Sequence, residues 1–185
     1  MIDTRVSSRY ALSLFNLANE NAVLETVKND MELVKATLSS SRDLNLILKS
    51  PIINNDKKIA ILSEIFEKSI QILSFSFIKI LVVKGREFYL ESISSEFLKL
   101  YKKHKNILTA TIVSATKLDN AAIEKVKSII KTSTNSTIEL IEEVKPEIMG
   151  GFILNIGDKQ IDSSIKTKIQ ELRREFSSNH YESKL

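Results

Sequence analysis

Cysteine and tryptophan are absent from this chain of 185 residues, and histidine occurs only twice. Without cysteine the chain has no disulfide framework and no thiolate nucleophile. His104 stands in a basic cluster and His180 in a polar C-terminal stretch, neither with a second ligand at metal spacing. No G-x-S-x-G nucleophile motif is present. The sequence therefore predicts no catalytic residues, no metal ligands and no cofactor.

Glycine is scarce, with four residues in the chain. A phosphate-binding loop needs glycines between a strand and the helix that follows it. Here Gly150, Gly151 and Gly157 bracket the segment FILNI, which is typical of a strand. An entry into that strand and a hairpin turn at Gly157 and Asp158 account for these residues without a ligand. Nucleotide binding is not predicted.

Long hydrophobic runs are missing too. A membrane-spanning helix needs about 20 apolar residues, whereas the densest apolar stretch, residues 72–83, contains Ser74, Ser76 and Lys79. We therefore expect the chain to reach a membrane only through partners.

The charge of the chain is nearly balanced, with 27 Lys and Arg against 23 Asp and Glu and a formal charge of +4. The densest basic cluster, KLYKKHK at residues 99–105, lies where a helix is predicted to end, and cations are favourable there. A solvated helix end is the favoured interpretation, and we expect no nucleic-acid partner. The cluster leaves an RNA-binding helical adaptor as the alternative function, with a steep salt dependence as its test.

The hydrophobic period divides the chain near residue 104. Before it, apolar residues recur at the 3–4 spacing of amphipathic helices, as in Leu24, Val27, Met31, Val34 and Leu38. A proline after Ser50 ends the third of six predicted helices, and the fifth extends from about residue 69 to a turn at Gly85.

After residue 105 the pattern changes to alternation of β-branched residues, which predicts a central strand over residues 107–115. Further strands are predicted at 137–144, 151–158 and 159–161, and a helix carrying Ala122, Val126, Ile129 and Ile130 follows Asp119 or Asn120. A last helix carries Ile165, Ile169, Leu172 and Phe176, with Asp162 or Ser163 as its cap. The expected fold class is α+β: an N-terminal six-helix bundle over residues 1–104, then a small C-terminal α/β domain over 105–185 with a polar tail from about 177.

The first and fifth predicted helices carry more apolar surface than one core requires. In the first, Val6, Tyr10, Leu14 and Leu17 form one stripe beside a second stripe of Ala11, Phe15 and Ala18, although an arc of about 100° suffices for packing. The fifth is apolar almost all round. One interpretation is that the fifth helix is the centre of the bundle and the first packs on it. The two helices together also favour a groove that accepts an outside amphipathic helix.

Four segments resemble the delta subunit of F-type ATP synthase, whose mitochondrial counterpart is the oligomycin-sensitivity-conferring protein. They are RYALSLFNLA (9–18), SPIINNDKKIAIL (50–62), KGREFYL (84–90) and MGGFILNIGDKQIDSSIKTKIQELRR (149–174). The chain departs from the family pattern in small ways, with Lys84 in place of Asn, Ser163 in place of Gly and Ser13 in place of Ala.

The resemblance implies a non-catalytic peripheral-stalk subunit, the stator, of a proton-translocating synthase. It implies one copy per complex, with the N-terminal bundle on the N-terminal helices of the alpha subunits and the C-terminal domain on the b-type stalk subunit. The location implied is peripheral to the energy-coupling membrane, at the cytoplasmic face of a bacterial inner membrane or the matrix face of an organelle.

The resemblance also implies two sets of residues. The partner-binding set is Val6, Tyr10, Ser13, Leu14, Leu17, Phe77, Ile80 and Lys84. The set that matches motif positions, for which we favour roles in turns and caps, is Gly85, Gly150, Gly151, Asp158, Asp162 and Ser164.

Overall fold

A computed structural model describes residues 4–116, 119, 123–124, 137–157 and 159–177. The chain divides into two compact units, Met1–His104 and Lys105–Leu185. Helices build the first unit, and a four-stranded sheet is the main feature of the described part of the second. The predicted α+β class is confirmed.

Six helices make up the first unit. They are α1 (Thr4–Glu20), α2 (Leu24–Ser40), α3 (Arg42–Lys49), α4 (Asn55–Phe66), α5 (Ile72–Val83) and α6 (Leu90–His104), with a 3₁₀ turn at Glu87–Tyr89 before α6. Helix α5 begins later than the predicted residue 69, because the N–H groups of Ser69 and Ile70 both bond the Phe66 carbonyl and close the turn after α4.

The core of the first unit follows the periodicity of the sequence. All five apolar residues that defined the second predicted helix are buried in α2: Leu24, Val27, Met31, Val34 and Leu38. Burying such a side chain stabilises the fold by about 1.5–3 kcal/mol. Helix α2 packs against α6, in which Ile93 and Phe97 are also fully buried.

Asp30 of α2 caps the N-terminus of α5, whose own N-cap residue makes no side-chain cap bond. Its buried carboxylate accepts a hydrogen bond from the Gln71 backbone N–H at 3.1 Å and another from the Ser74 hydroxyl at 2.5 Å. A negative charge at this end also complements the helix dipole. The two hydrogen bonds to Asp30 connect α5 to α2.

The described strands of the second unit are β1 (Ile107–Ser114), β2 (Thr137–Val144), β3 (Phe152–Ile156) and β4 (Lys159–Asp162). They pair in the order β2-β1-β3-β4, with β1 and β2 parallel and the other pairs antiparallel. The prediction of a central strand at residue 107 is thus confirmed. One face of the sheet is buried through Ala110, Ile112 and Leu154.

Strand β3 is shorter than the predicted 151–158, because Gly151 and Gly157 have φ of +78° and +55° and leave the extended conformation. A β-carbon on Gly151 would overlap the Ser163 carbonyl, and one on Gly150 would approach Ile165 Cδ1 to 2.7 Å. Asp158, most of the predicted helix after Asp119, and residues 178–185 lie outside the described residues.

The last helix, α7 (Ile165–Ser177), is capped by Ser164 and not by Asp162 or Ser163. The Thr167 N–H donates to Ser164 Oγ at 3.3 Å, while the two Asp162 oxygens accept from the Ser164 N–H and the Thr167 hydroxyl, each at 2.8 Å. The Ser164 backbone N–H is the main cause that lowers the pKa of Asp162. Ser177, expected in the polar tail, is the last residue of α7.

Candidate partner-binding groove

Helices α1 and α5 meet at Tyr10 and Phe77. Their ring centroids lie 6.4 Å apart with the planes at 65°, an edge-to-face contact. Phe77 and Leu14 are buried, and Leu14 is only 1 % exposed. Leu14 therefore belongs to the core and is not open to a partner, whereas Val6 and Tyr10 are half-buried and Ser13 is exposed.

Apolar side chains remain open to solvent along both helices. On α1, Leu17 is 46 % exposed, and on α5, Ile80 is 52 % exposed. Val83 and Ile72 of α5 are exposed as well, while Phe75, Ile78, Leu81 and Val82 on its other sides are buried. Helix α5 thus lies at the centre of the bundle on one side and is uncovered on the other.

An open cavity of about 660 Å³ lies where α1 ends and α5 begins. Its lining consists of Asn21, Val23, Ile70, Gln71, Ile72 and Leu73. We use the name α1/α5 groove for the exposed and half-buried residues of the predicted partner-binding set, taken together with this cavity: Val6, Tyr10, Ser13, Leu17, Ile80 and Lys84. Apart from Lys84, this surface carries no formal charge.

Arg86, which sequence reasoning missed, closes the other end of the groove. Its Nη1 donates a hydrogen bond to the Tyr10 hydroxyl at 3.2 Å, and its guanidinium carbon lies 5.5 Å from the centroid of the Tyr10 ring. This geometry is a cation–π contact. The available signal was the segment KGREFYL, in which Arg86 follows the glycine of the turn.

Gly85 directs the chain so that Arg86 reaches Tyr10. With φ of +64° it adopts the left-handed conformation at the end of α5. The Gly85 N–H bonds the Val82 carbonyl and the Arg86 N–H bonds the Leu81 carbonyl, at 2.9 and 2.8 Å. This is the Schellman arrangement, for which glycine is the usual residue. Lys84 precedes the turn and is exposed.

A buried ion pair anchors the residue that follows Arg86. Lys58 Nζ of α4 lies 2.6 Å from Glu87 Oε1 and also donates to the Leu48 carbonyl at 3.2 Å. Both side chains are buried, and Glu87 Oε2 has no hydrogen-bond partner in the part of the chain that the structure describes. The pair therefore fixes the turn between α5 and α6 against α3 and α4.

The second unit has its own uncovered apolar surface on α7. Ile165, Ile169, Leu172 and Phe176 recur at spacings of four, three and four, and all of them are exposed. Because residues at this spacing share one side of a helix, they form a continuous apolar stripe. We call these residues the α7 stripe.

Groups of three or more potential metal ligands are not found among the described residues. Nor does any described helix combine the length and the apolarity that crossing a bilayer requires. A two-unit α+β chain with open apolar surfaces on both units is typical of proteins that bind other proteins.

Comparison with known proteins identifies the family. The model of the ATP synthase delta (OSCP) subunit family matches residues 6–176, so the chain belongs to this family. It is a structural stalk subunit of an F-type ATP synthase and not a catalytic one. The resemblance drawn from the sequence is confirmed.

Relatives match over almost their whole length. The ATP synthase delta subunit of Cytophaga hutchinsonii is 34% identical over 177 residues, 96% of this chain and 97% of the relative. That of Christiangramia forsetii is 32% identical over 185 residues and covers both chains fully. A chain in the cryo-EM structure of the Toxoplasma gondii mitochondrial ATP synthase hexamer shares the fold, with a TM-score of 0.72 at 23% identity over 93% of this chain and 97% of that one.

Proposed function

We propose that this chain links the catalytic head of the synthase to its peripheral stalk. The first unit binds the amphipathic N-terminal helices of the alpha subunits, and the second binds the b-type stalk subunit. The chain is present in one copy per complex. It associates with the energy-coupling membrane only through the complex, at the cytoplasmic face in a bacterium or the matrix face in an organelle.

The observation that carries the proposal is the open apolar surface of the α1/α5 groove. Leu17 and Ile80 are each about half exposed although they lie on helices whose other sides are buried. An amphipathic helix recognises such a groove by inserting apolar residues at one-turn spacing. Burying these side chains supplies the hydrophobic contribution to binding.

The mechanism is mechanical. Rotor torque would turn the catalytic head unless a static connection held it to the stator in the membrane. This connection must bind at two ends, and a standard specific interface buries roughly 1,600 Å². The groove supplies one apolar surface and the α7 stripe supplies the other, on separate units of the chain.

Binding of an alpha-subunit peptide tests the head end. Ile80→Asp places a charge at the centre of the groove, and its 52 % exposure means that the fold tolerates the change. The matched control is Leu46→Asp on α3, where the leucine is 56 % exposed outside the groove. We expect calorimetry with the N-terminal peptide of the alpha subunit to give an affinity at least about tenfold lower for Ile80→Asp alone. Equal affinities for the two folded variants would contradict the groove.

Binding of the b-type subunit tests the stalk end. Leu172→Asp interrupts the α7 stripe, whereas Gln170→Asp adds the same charge to a different side of α7, where the residue is also exposed. We expect only Leu172→Asp to weaken binding of the soluble part of the b-type subunit. If both variants bind like the unchanged chain, the stripe is not the stalk contact.

A further inference from the structure

We propose that Arg86, together with Lys84, recognises an acidic side chain of the helix that docks in the α1/α5 groove. This inference rests on the proposed function and adds the charge that the partner must carry and the end of the groove at which it lies. Arg86 is then a specificity-determining residue of the interface.

The first reason for an acidic partner residue is that Arg86 has donors available to bind it. A guanidinium presents five N–H donors in a planar fork, and among the described residues Tyr10 is the side chain that accepts from it. The hydrogen bond and the cation–π contact with Tyr10 hold the guanidinium in place, while its other donors stay available to a partner. A carboxylate accepts two parallel bonds from such a fork, which makes it the matching group.

The uneven distribution of charge along the groove is the second reason. Arg86 and Lys84 lie at the Tyr10 end, and Arg9 precedes Tyr10 on α1. The cavity at the opposite end is lined by Asn21, Val23, Ile70, Gln71, Ile72 and Leu73, which carry no charge. A partner helix with an acidic residue at one end of its apolar face and a bulky apolar residue at the other complements both ends.

The arrangement of α1 agrees with this interpretation. Its first turn has no acidic residue, and the exposed Arg9 lies in its N-terminal half. Arg9 therefore adds positive potential at the end of the groove where Arg86 lies.

The position of Arg86 is set by the fold. The Schellman turn at Gly85 precedes it, and Glu87, held by buried Lys58, follows it. A long side chain on an anchored backbone loses less conformational freedom on binding than one on a mobile loop. Such preorganisation distinguishes a recognition residue from a surface arginine.

The test is a double-mutant cycle with the full chain. The probe is a fluorescent peptide of roughly the first 25 residues of the alpha subunit of the same organism, long enough for a helix of about 30 Å. Each acidic residue of the peptide is replaced in turn by glutamine, and affinity is measured by anisotropy at about 50 mM and about 300 mM salt. The protein variants are Arg86→Gln, Tyr10→Phe as a test of the hydroxyl bond alone, and Lys35→Gln on the exposed side of α2 as control.

We expect Arg86→Gln to lower affinity about tenfold at the lower salt and to weaken its salt dependence, with less than twofold changes for Lys35→Gln. One peptide variant should lose as much affinity for the unchanged chain and nothing further for Arg86→Gln. Tyr10→Phe should act weakly, because the ring that makes the cation–π contact with Arg86 remains. Unchanged affinity for Arg86→Gln, or additive losses for every acidic position, would overturn this inference and leave the groove in place. Failure of the unchanged chain to bind the peptide would overturn the proposed function itself.

Discussion

The buried pair of Lys58 and Glu87 should behave as a unit in stability measurements. Lys58 Nζ contacts Glu87 Oε1 at 2.6 Å and the Leu48 carbonyl at 3.2 Å, and both charged side chains are buried. Removing one member leaves an uncompensated charge in the interior, which costs about 3–5 kcal/mol. We therefore expect Lys58→Met and Glu87→Met each to lower the free energy of unfolding by this amount.

The double variant should be more stable than either single one. With both side chains apolar and similar in length, no buried charge is left, and only the Leu48 carbonyl loses its bond from Lys58. We expect the double variant to lose about 1–2 kcal/mol, since a single lost hydrogen bond has roughly that effect. The coupling free energy between the two sites is then several kcal/mol.

Tyrosine fluorescence during urea unfolding measures the stability of the first unit, which contains the ion pair. The chain has four tyrosines and no tryptophan, and Tyr10, Tyr89 and Tyr101 all belong to the first unit. Lys35→Met at an exposed position on α2 is the control and should change stability by less than about 0.5 kcal/mol. Additive losses, or single-variant losses below about 1 kcal/mol, would refute the reasoning.

Three further predictions concern single contacts. Asp30→Ala should destabilise the first unit by about 1–3 kcal/mol in the same assay, because the α5 cap and the buried Ser74 hydroxyl lose their acceptor; an unchanged midpoint would exclude the cap. The Tyr101 hydroxyl donates to Glu25, and this hydrogen bond raises the pKa of Tyr101 to about 12. The bond therefore stabilises the fold fully below about pH 10, and its contribution is lost as the pH rises toward about 12. Glu25→Gln should lower the pH at which Tyr101 ionises, measured by ultraviolet absorbance. Because the pKa of Asp162 is lowered in the folded state, its ionised carboxylate stabilises the fold above about pH 4, and this contribution is lost as the pH falls through the folded pKa. Asp162→Asn should therefore lower the stability of the second unit at pH 7 but not at low pH. Faster hydrogen exchange in α7 would measure this loss.

Local periodicity was sufficient to predict α2, because one apolar stripe matched one core. The two adjacent stripes of α1 left its rotation open. The structure buries Ser7, Ala11, Leu14 and Ala18, three of them small, and α1 packs mainly against α6. Small side chains allow two helices to approach closely, and that preference depends on the neighbour and not on the sequence of α1 alone.

The cap residue of α7 and the ion pair across a long sequence separation were both beyond prediction. Asp162, Ser163 and Ser164 are all favourable cap residues, so composition did not decide among them, and the hydrogen bonds of the folded turn select Ser164. Lys58 and Glu87 are separated by 29 residues. A buried lysine beside a buried glutamate is evident only once α4 and the turn before α6 are in place.

The ion pair also connects two of the segments that carry the family resemblance. SPIINNDKKIAIL contains Lys58 and KGREFYL contains both Arg86 and Glu87, so the segments meet in one buried contact beside the groove. Variants should therefore separate into two groups. Glu87→Gln acts on stability and on partner affinity together, because it releases the turn that presents Arg86. Ile80→Asp acts on affinity alone, because its side chain is exposed.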